Sequence, residues 1–113
     1  MSDSAPQQSG VRDDPERSRL VIERGGAVAY LVYRTEPGRL ILVHTEVPEA
    51  LGGHGVGGEL VAAAIARARA GGLTVVPWCP FARRLLREHP DLAGGVPIDW
   101  TTPPPEHEEP AGG

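Results

Sequence analysis

The segment LGGHGVGGELVAAAIARARAGG, residues 51–72, carries the strongest structural signal in this chain of 113 residues. Five glycines occupy its first eight positions, and an alanine-rich run then continues up to Gly71 and Gly72. From about Val56 to residue 70, apolar residues recur at spacings of three and four, which predicts a helix closed by that glycine pair. Glycines before a helix let its free N–H groups approach an anion closely. The segment therefore predicts a phosphate-binding loop; a merely flexible connection is the alternative.

Three strand-like runs precede this segment, and a fourth follows it. They are RLVIER at 19–24, AVAYLVYRT at 27–35, RLILVHTEV at 39–47 and LTVV at 73–76. Short turns at Gly25-Gly26 and Pro37-Gly38 predict that the first three runs form an antiparallel meander. The helix then connects the third run to the fourth. Such a crossover is normally right-handed and joins parallel strands.

A second, shorter helix is predicted within PWCPFARRLLREHP, residues 77–90. Pro80 suits the first helical position, which makes Cys79 the candidate N-cap. Phe81 and Leu85 lie four residues apart and are expected to face the sheet. The next residues, DLAGGVPIDW, fit either a short strand or an ordered loop. The predicted fold class is α/β (α+β).

Both ends of the chain have the composition of disordered segments. Residues 1–17 offer almost no apolar side chains, and residues 101–113, TTPPPEHEEPAGG, are rich in proline and glutamate. Residues 18–100 are therefore expected to form the single folded domain. The tails contribute −2 and −3 to the formal net charge of −4, so the domain is near +1 and does not indicate nucleic-acid binding.

Several classes of protein are disfavoured by simple counts. The single cysteine excludes an internal disulfide bond. No apolar run approaches the length of about 20 residues that spans a bilayer, and the first residues lack a secretory signal pattern. We therefore expect a cytoplasmic protein that is not membrane-bound. His107 lies in the acidic tail, where we expect it to be solvated, so no metal site is predicted.

The glycine loop does not fit the two common nucleotide motifs. Residues 53–58, GHGVGG, satisfy G-x-G-x-x-G, but a dinucleotide site expects an acidic residue about 20 positions further on. At that position the chain has Pro77, Trp78 and Cys79 instead. A P-loop requires G-K-[ST]. Gly57-Gly58-Glu59 supplies neither the lysine nor the hydroxyl.

Three blocks, in order and at compatible distances, resemble the Gcn5-related N-acetyltransferase (GNAT) superfamily, and most closely a compact subfamily of minimal members. The blocks are HTEVPEALGGHGVGG at 44–58, GGLTVVPWCPF at 71–81 and REHPDL at 87–92. The loop is similar to the family motif R/Q-x-x-G-x-G/A, with Gly55 and Gly57 at the small positions. It departs from the motif at Gly52, where the family has Arg or Gln. The resemblance implies a mainly antiparallel sheet with one splayed parallel strand pair and two helices.

The resemblance also implies an acetyl-CoA-dependent N-acetyltransferase in which an acceptor amine attacks the acetyl group directly. The acceptor is not identified; an exposed protein lysine, an N-terminus or a polyamine would suit a domain this small. Acetyl-CoA would be the co-substrate, with its pyrophosphate on the loop amides. The residues implied in binding it are Val47, Gly53, His54, Gly55, Val56, Gly57, Gly58 and Phe81.

The implied catalytic candidates are Glu46, His44 and Cys79. On a strand, His44 and Glu46 share one face and Thr45 points to the other, so either of the first two is placed to take the amine proton. Cys79, at a helix N-terminus, is a candidate nucleophile for an acetyl-cysteine route or an acid for the leaving thiolate. The Val47 amide is the candidate oxyanion donor. Each residue also has a purely structural interpretation, as an edge charge or a packed side chain.

Two other functions remain open at this point. A non-catalytic acyl-CoA-binding module would retain the loop and bind coenzyme A without transferring the acetyl group. An interaction domain would have a glycine loop that binds nothing. Measurement of binding and of turnover separates the three.

Overall fold

The computed structural model describes residues 10–53 and 55–104. The strands in this part are β1 (Arg12–Asp14), β2 (Arg19–Arg24), β3 (Ala27–Glu36), β4 (Arg39–Glu46) and β5 (Thr74–Pro77). The α-helices are α1 (Val56–Gly71) and α2 (Pro80–Glu88), and short 3₁₀ turns cover Glu49–Leu51 and Pro90–Ala93. None of the helices in the described ranges has the length and apolarity needed to cross a bilayer.

The strands form one sheet in the order β1-β2-β3-β4-β5. The first four are antiparallel neighbours, and β4 pairs with β5 in parallel. The predicted meander, the crossover helix and the α/β fold class are therefore confirmed. The additional strand is β1, and Ile98 forms an isolated parallel bridge with Val75 at the far edge.

Helix α1 packs its apolar stripe on one face of the sheet. Its buried residues include Leu60, Val61, Ala64, Ile65 and Ala68, at the spacings that predicted the helix. Helix α2 buries Ala82 and Leu86 in the same core. The prediction that Phe81 faces the sheet is wrong, because Ala82 and Leu86 form the buried pair one position further along. Phe81 is 43% exposed and lies beside the start of α1.

A bulge in β4 shapes the region where β4 and β5 separate. Val32 pairs with His44, whereas Tyr33 pairs with Leu42, so Val43 is the extra residue. Parallel pairing with β5 ends at Leu42 and Pro77. The next two amides of the β5 segment, those of Trp78 and Cys79, both donate to the Leu42 carbonyl, at 3.0 and 2.9 Å. Residues 43–46 therefore continue β4 without a ladder partner on that side, as expected of a splayed pair.

The predicted N-terminal tail must be corrected, because residues 12–14 form β1. Asp13 accepts a hydrogen bond of 2.7 Å from the Tyr33 hydroxyl and forms an ion pair with Arg67 of α1. The Arg67 guanidinium also lies over the Tyr33 ring, 4.6 Å from its centre. These polar contacts and the ladder hold a segment that buries little apolar surface. Composition does not reveal this strand, because polar contacts hold it rather than buried apolar side chains.

The ordered structure also extends past Trp100. The Trp78 indole donates to the Thr102 carbonyl at 3.0 Å. Asp99 accepts hydrogen bonds from the hydroxyls and amides of Thr101 and Thr102. The Thr102 hydroxyl is the main cause that holds the pKa of Asp99 well below its ordinary value. The predicted C-terminal tail thus begins with two residues tied to the sheet.

The Tyr33–Asp13 contact predicts a loss of stability at alkaline pH. Burial of the ring, followed by its hydrogen bond to Asp13, raises the pKa of Tyr33 from 10.0 to about 12. The folded state thus holds the phenolic proton more tightly than the unfolded chain. The stabilisation is complete below the unfolded pKa and is lost as the pH rises from 10.0 towards about 12.

This loss is measured as the urea midpoint at several pH values across that window. The midpoint of the wild type should fall more steeply than that of Tyr33→Phe, which has no phenolic proton to lose. Tyr33→Phe should itself cost about 1 kcal/mol at neutral pH, through the lost hydrogen bond. Parallel pH profiles for the two proteins would contradict the assignment.

Candidate functional site

The glycine loop has backbone conformations that residues other than glycine rarely adopt. Gly53 has φ of +81°, and Gly55, the N-cap of α1, has φ of +74°. The Glu59 amide donates to the Gly55 carbonyl at 3.0 Å, which closes the first turn of the helix. The amides of Val56, Gly57 and Gly58 precede that bond, so helical geometry leaves them without an intrahelical acceptor. They form the positive end of the α1 dipole.

The absence of a side chain has different consequences at Gly57 and at Gly58. A Cβ on Gly57 would lie 2.6 Å from Cζ of Phe81, so the aromatic ring packs directly on the helix backbone. A Cβ on Gly58 would meet no other atom within 4 Å. Gly57 therefore permits the contact that brings Phe81 to the loop, and Gly58 leaves open space beside the free amides.

A cleft of about 380 Å³ joins this loop to the end of β4. Its lining residues are Thr45, Val47, Leu51, Gly52, Gly53, Gly55, Val56, Gly57, Gly58 and Phe81. Seven of the eight predicted cofactor contacts are in this set, and the eighth, His54, lies outside the described residues. The three lining residues that were not predicted as cofactor contacts are Thr45, Leu51 and Gly52. Strand alternation was the available signal for Thr45, whose side chain lies opposite to those of its two neighbours.

The acidic residue in the first turn of α1 is matched by an arginine from β2. Arg24 donates to both carboxylate oxygens of Glu59, at 2.8 and 3.3 Å. The pair offsets a negative charge that would otherwise repel an anion near the helix N-terminus. Sequence reasoning missed Arg24, because it lies 35 residues from Glu59 and belongs to no motif.

His44 and Glu46 meet on the outer face of the sheet, which we define as the face opposite α1. The His44 Nε2 and Glu46 Oε1 atoms are 3.1 Å apart, and the two side chains are 55% and 53% exposed. The Tyr30 ring, from β3, lies 6.4 Å from the His44 ring between centres. The predicted pairing of the two side chains on one face is therefore confirmed. Neither residue lines the cleft itself.

Cys79, which follows β5, contacts Thr45 of β4 on the face of the sheet that carries α1. Cys79 is the N-cap of α2, as predicted, and is only 2% exposed. Its Sγ atom lies 3.1 Å from the Thr45 hydroxyl, and Thr45 lines the cleft. The Thr45 hydroxyl thus lies between the Cys79 thiol and the cleft. Within the described ranges, no group of three or more potential metal ligands is found.

The site therefore has two sides separated by the end of β4. The loop amides, Val47 and Thr45 lie on the cleft side, and the His44–Glu46 pair lies on the outer side. The pairing of β4 with β5 ends at Leu42, so the two strands separate between these two sides. Such an arrangement allows one reactant to approach from each side of the sheet.

Comparison with known proteins supports the same interpretation. Residues 18–94 match the family described as GCN5-related N-acetyl-transferase. The NMR solution structure of a GCN5-like protein from Staphylococcus aureus has a similar fold, with a TM-score of 0.63 and 24% sequence identity over 93% of this chain and 99% of that chain. No curated protein matches the chain. The matched region covers most of the sheet, the whole glycine loop and both helices, so the chain belongs to the GCN5-related N-acetyltransferase family, whose members are acetyltransferases.

Proposed function

We propose that this chain uses acetyl-CoA as acetyl donor and transfers the acetyl group to an amine by direct attack. The proposal depends above all on one observation. The cleft is lined both by the glycine loop and by the end of β4, and the adjacent residues of that strand place a histidine–carboxylate pair on the other side. The residues proposed to bind the acetyl donor and those proposed to remove the proton thus lie together at the end of β4.

The residues of the cleft fit coenzyme A. The amides of Val56, Gly57 and Gly58 and the dipole of α1 favour the negative pyrophosphate, and the open space beside Gly58 admits it. Leu51, Val56 and Phe81 supply apolar walls for the uncharged arm of the molecule. Gly52, which replaces the basic or amide residue of the family motif, contributes no charge. The Arg24–Glu59 pair keeps the loop from being acidic.

Each catalytic candidate then has a role that suits its position. When bound, acetyl-CoA supplies an activated acetyl thioester. We assign to Glu46 the removal of the proton from the acceptor amine, and to His44 the orientation of that carboxylate through their hydrogen bond. The Val47 amide is assigned to the carbonyl oxygen of the acetyl group. Cys79 would donate a proton towards the leaving thiolate through the Thr45 hydroxyl, rather than act as a nucleophile, because its sulfur is buried behind that hydroxyl.

A non-catalytic acyl-CoA-binding module is the second candidate. It is favoured by Gly52 and by the positions of the tyrosines, since many larger members of the superfamily place a tyrosine acid on the last helix. Here Tyr30 and Tyr33 both lie on β3, and Tyr33 is bonded to Asp13. Binding without turnover would identify this function.

The test is a transfer assay with purified protein, acetyl-CoA and single amines: spermidine, a lysine-containing peptide, a peptide with a free N-terminus, and 5-aminopentanoate. The free thiol of the released coenzyme A is measured with a colorimetric thiol reagent, and the acetylated product is detected by mass spectrometry. We expect amine-dependent thiol release matched by product. Binding of acetyl-CoA with no product from any amine would support the module instead. No binding by folded protein would contradict both.

A further inference from the structure

The outer face carries a row of side chains that the proposed chemistry does not fully use. Arg19, Val32 and His44 are aligned across β2, β3 and β4, and Tyr30 pairs with Glu46 in the next row. The Cα atoms of Arg19 and His44 are thus two strand spacings, or about 10 Å, apart. His44 and the exposed carboxylate of Glu46 lie at the β4 side of these two rows, and Arg19 lies at the β2 side.

The Arg19 guanidinium has no carboxylate partner within residues 10–53 and 55–104, and an aromatic ring holds it in place. It lies over the Tyr30 ring, with its central carbon 4.6 Å from the ring centre. Its buried Nε has no hydrogen-bond partner among the residues that the structure describes. On β1, the cross-strand neighbour of Arg19 is Asp14, whose carboxylate instead accepts a hydrogen bond from Arg17 at 3.1 Å.

Other arginines of the fold are satisfied differently. Arg24, Arg39 and Arg67 each donate to a carboxylate. An arginine that is stacked on an aromatic ring presents its N–H groups in a rigid plane, which matches a carboxylate well. The Nε atom of Arg19 is buried, so a ligand would be bound by the terminal N–H groups of the guanidinium instead. Since no described carboxylate pairs with it, the stacked guanidinium of Arg19 has the geometry of an anion-binding group.

We propose that Arg19, stacked on Tyr30, binds a carboxylate of the acceptor while the acceptor amine lies at the His44–Glu46 pair. This inference rests on the proposed function and names its substrate class: amines that carry a carboxylate several bonds from the nitrogen. The side-chain amine of a free diamino acid and simple ω-amino acids belong to this class. The carboxylate of glycine is too close to its nitrogen to span the row.

The charges of the row also discriminate against other amines. A zwitterion places its ammonium near Glu46 and its carboxylate near Arg19, so both ends are matched. A polyamine of the same length would place a second cation against the guanidinium, and like charges at such distances repel. An amine with an uncharged end would leave Arg19 without an acceptor.

The experiment compares each ω-amino acid with its carboxamide, which has the same length and no charge. The pairs are built on glycine, 4-aminobutanoate, 5-aminopentanoate and 6-aminohexanoate, and kcat/KM is measured at saturating acetyl-CoA. We expect the wild type to prefer the carboxylate by about 10- to 100-fold for the longer pairs, mainly through KM, as befits a charge-assisted hydrogen bond. The glycine pair should show little preference.

The variants are Arg19→Met, Arg19→Lys and, as matched control, Arg87→Met, which removes another arginine that lies over an aromatic ring, Trp100. The preference should fall to about one in Arg19→Met, fall partly in Arg19→Lys and persist in Arg87→Met. Arg19→Lys keeps the charge, so it serves if Arg19→Met folds poorly. This inference would be contradicted if the wild type acetylated the carboxylates and carboxamides equally well, or if the preference for carboxylates persisted in Arg19→Met. The proposed function would be unaffected by either result. Transfer to no amine at all would overturn the proposed function as well.

Discussion

Replacing Gly58 with glutamate is expected to make the protein more stable and, at the same time, to weaken its binding of acetyl-CoA strongly. The position is the third residue of α1, and an added Cβ meets no atom within 4 Å. Replacing glycine with a good helix former gains about 0.5 kcal/mol, and an acidic side chain in the first turn gains a few tenths more. The same carboxylate would occupy the site proposed for the pyrophosphate. At a separation of about 4 Å, the repulsion is several kcal/mol at an interface dielectric, so affinity should fall at least about 100-fold.

The measurements are Tm by circular dichroism and the acetyl-CoA Kd by titration calorimetry. The matched control is Ala62→Glu, which adds the same charge to an exposed position one turn further along the same helix, outside the cleft. The control should bind acetyl-CoA almost as the wild type does. A higher Tm together with an unchanged Kd for Gly58→Glu would show that the loop is not part of the acetyl-CoA-binding site.

Replacing Glu46 with glutamine is expected to lower kcat for amine acetylation by about 100- to 10,000-fold, the usual contribution of a positioned general base. The acetyl-CoA Kd should change little, because Glu46 lies on the outer face and does not line the cleft. Its side chain is 53% exposed, so the substitution should leave stability nearly unchanged. The two readouts thus separate a chemical role from a structural one.

The control for this substitution is Glu23→Gln, which neutralises an exposed carboxylate on β2 away from His44. The double variant His44→Gln with Glu46→Gln tests whether the pair acts as a unit. Because the two side chains are hydrogen-bonded at 3.1 Å, the double variant should lose little more activity than the worse single variant. Full activity in Glu46→Gln would exclude it as the base. Additive losses would mean that the two residues act independently.

The regular elements of the fold could be predicted because each has a local cause. The spacing of Leu60, Val61, Ala64 and Ile65 predicts α1, and the turns at Gly25-Gly26 and Pro37-Gly38 predict the meander. Pro80 predicts the start of α2. The loop glycines were informative for the same reason, since positive φ at Gly53 and Gly55 is a local property of the backbone.

The missed features depend on contacts between distant residues. Nothing in the sequence marks Val43 as the extra residue of a bulge, because the bulge is defined by the register of β3 against β4. Strand β1 is held by Tyr33 and Arg67, at separations of 20 and 54 residues from Asp13. The orientation of Phe81 depends on the bare backbone of Gly57, which belongs to the other helix. Helical periodicity alone could not reveal that contact.

The most direct test of the central claim, that the cleft binds the donor through the loop amides, is an NMR titration of ¹⁵N-labelled protein with acetyl-CoA. The account predicts that the largest amide shifts are those of Gly53, Gly55, Val56, Gly57 and Gly58, accompanied by Val47 and the residues around Phe81. Amides of β1 and of the far end of α1 should remain nearly unchanged. Largest shifts away from the loop, or none at millimolar acetyl-CoA with a folded spectrum, would contradict the account.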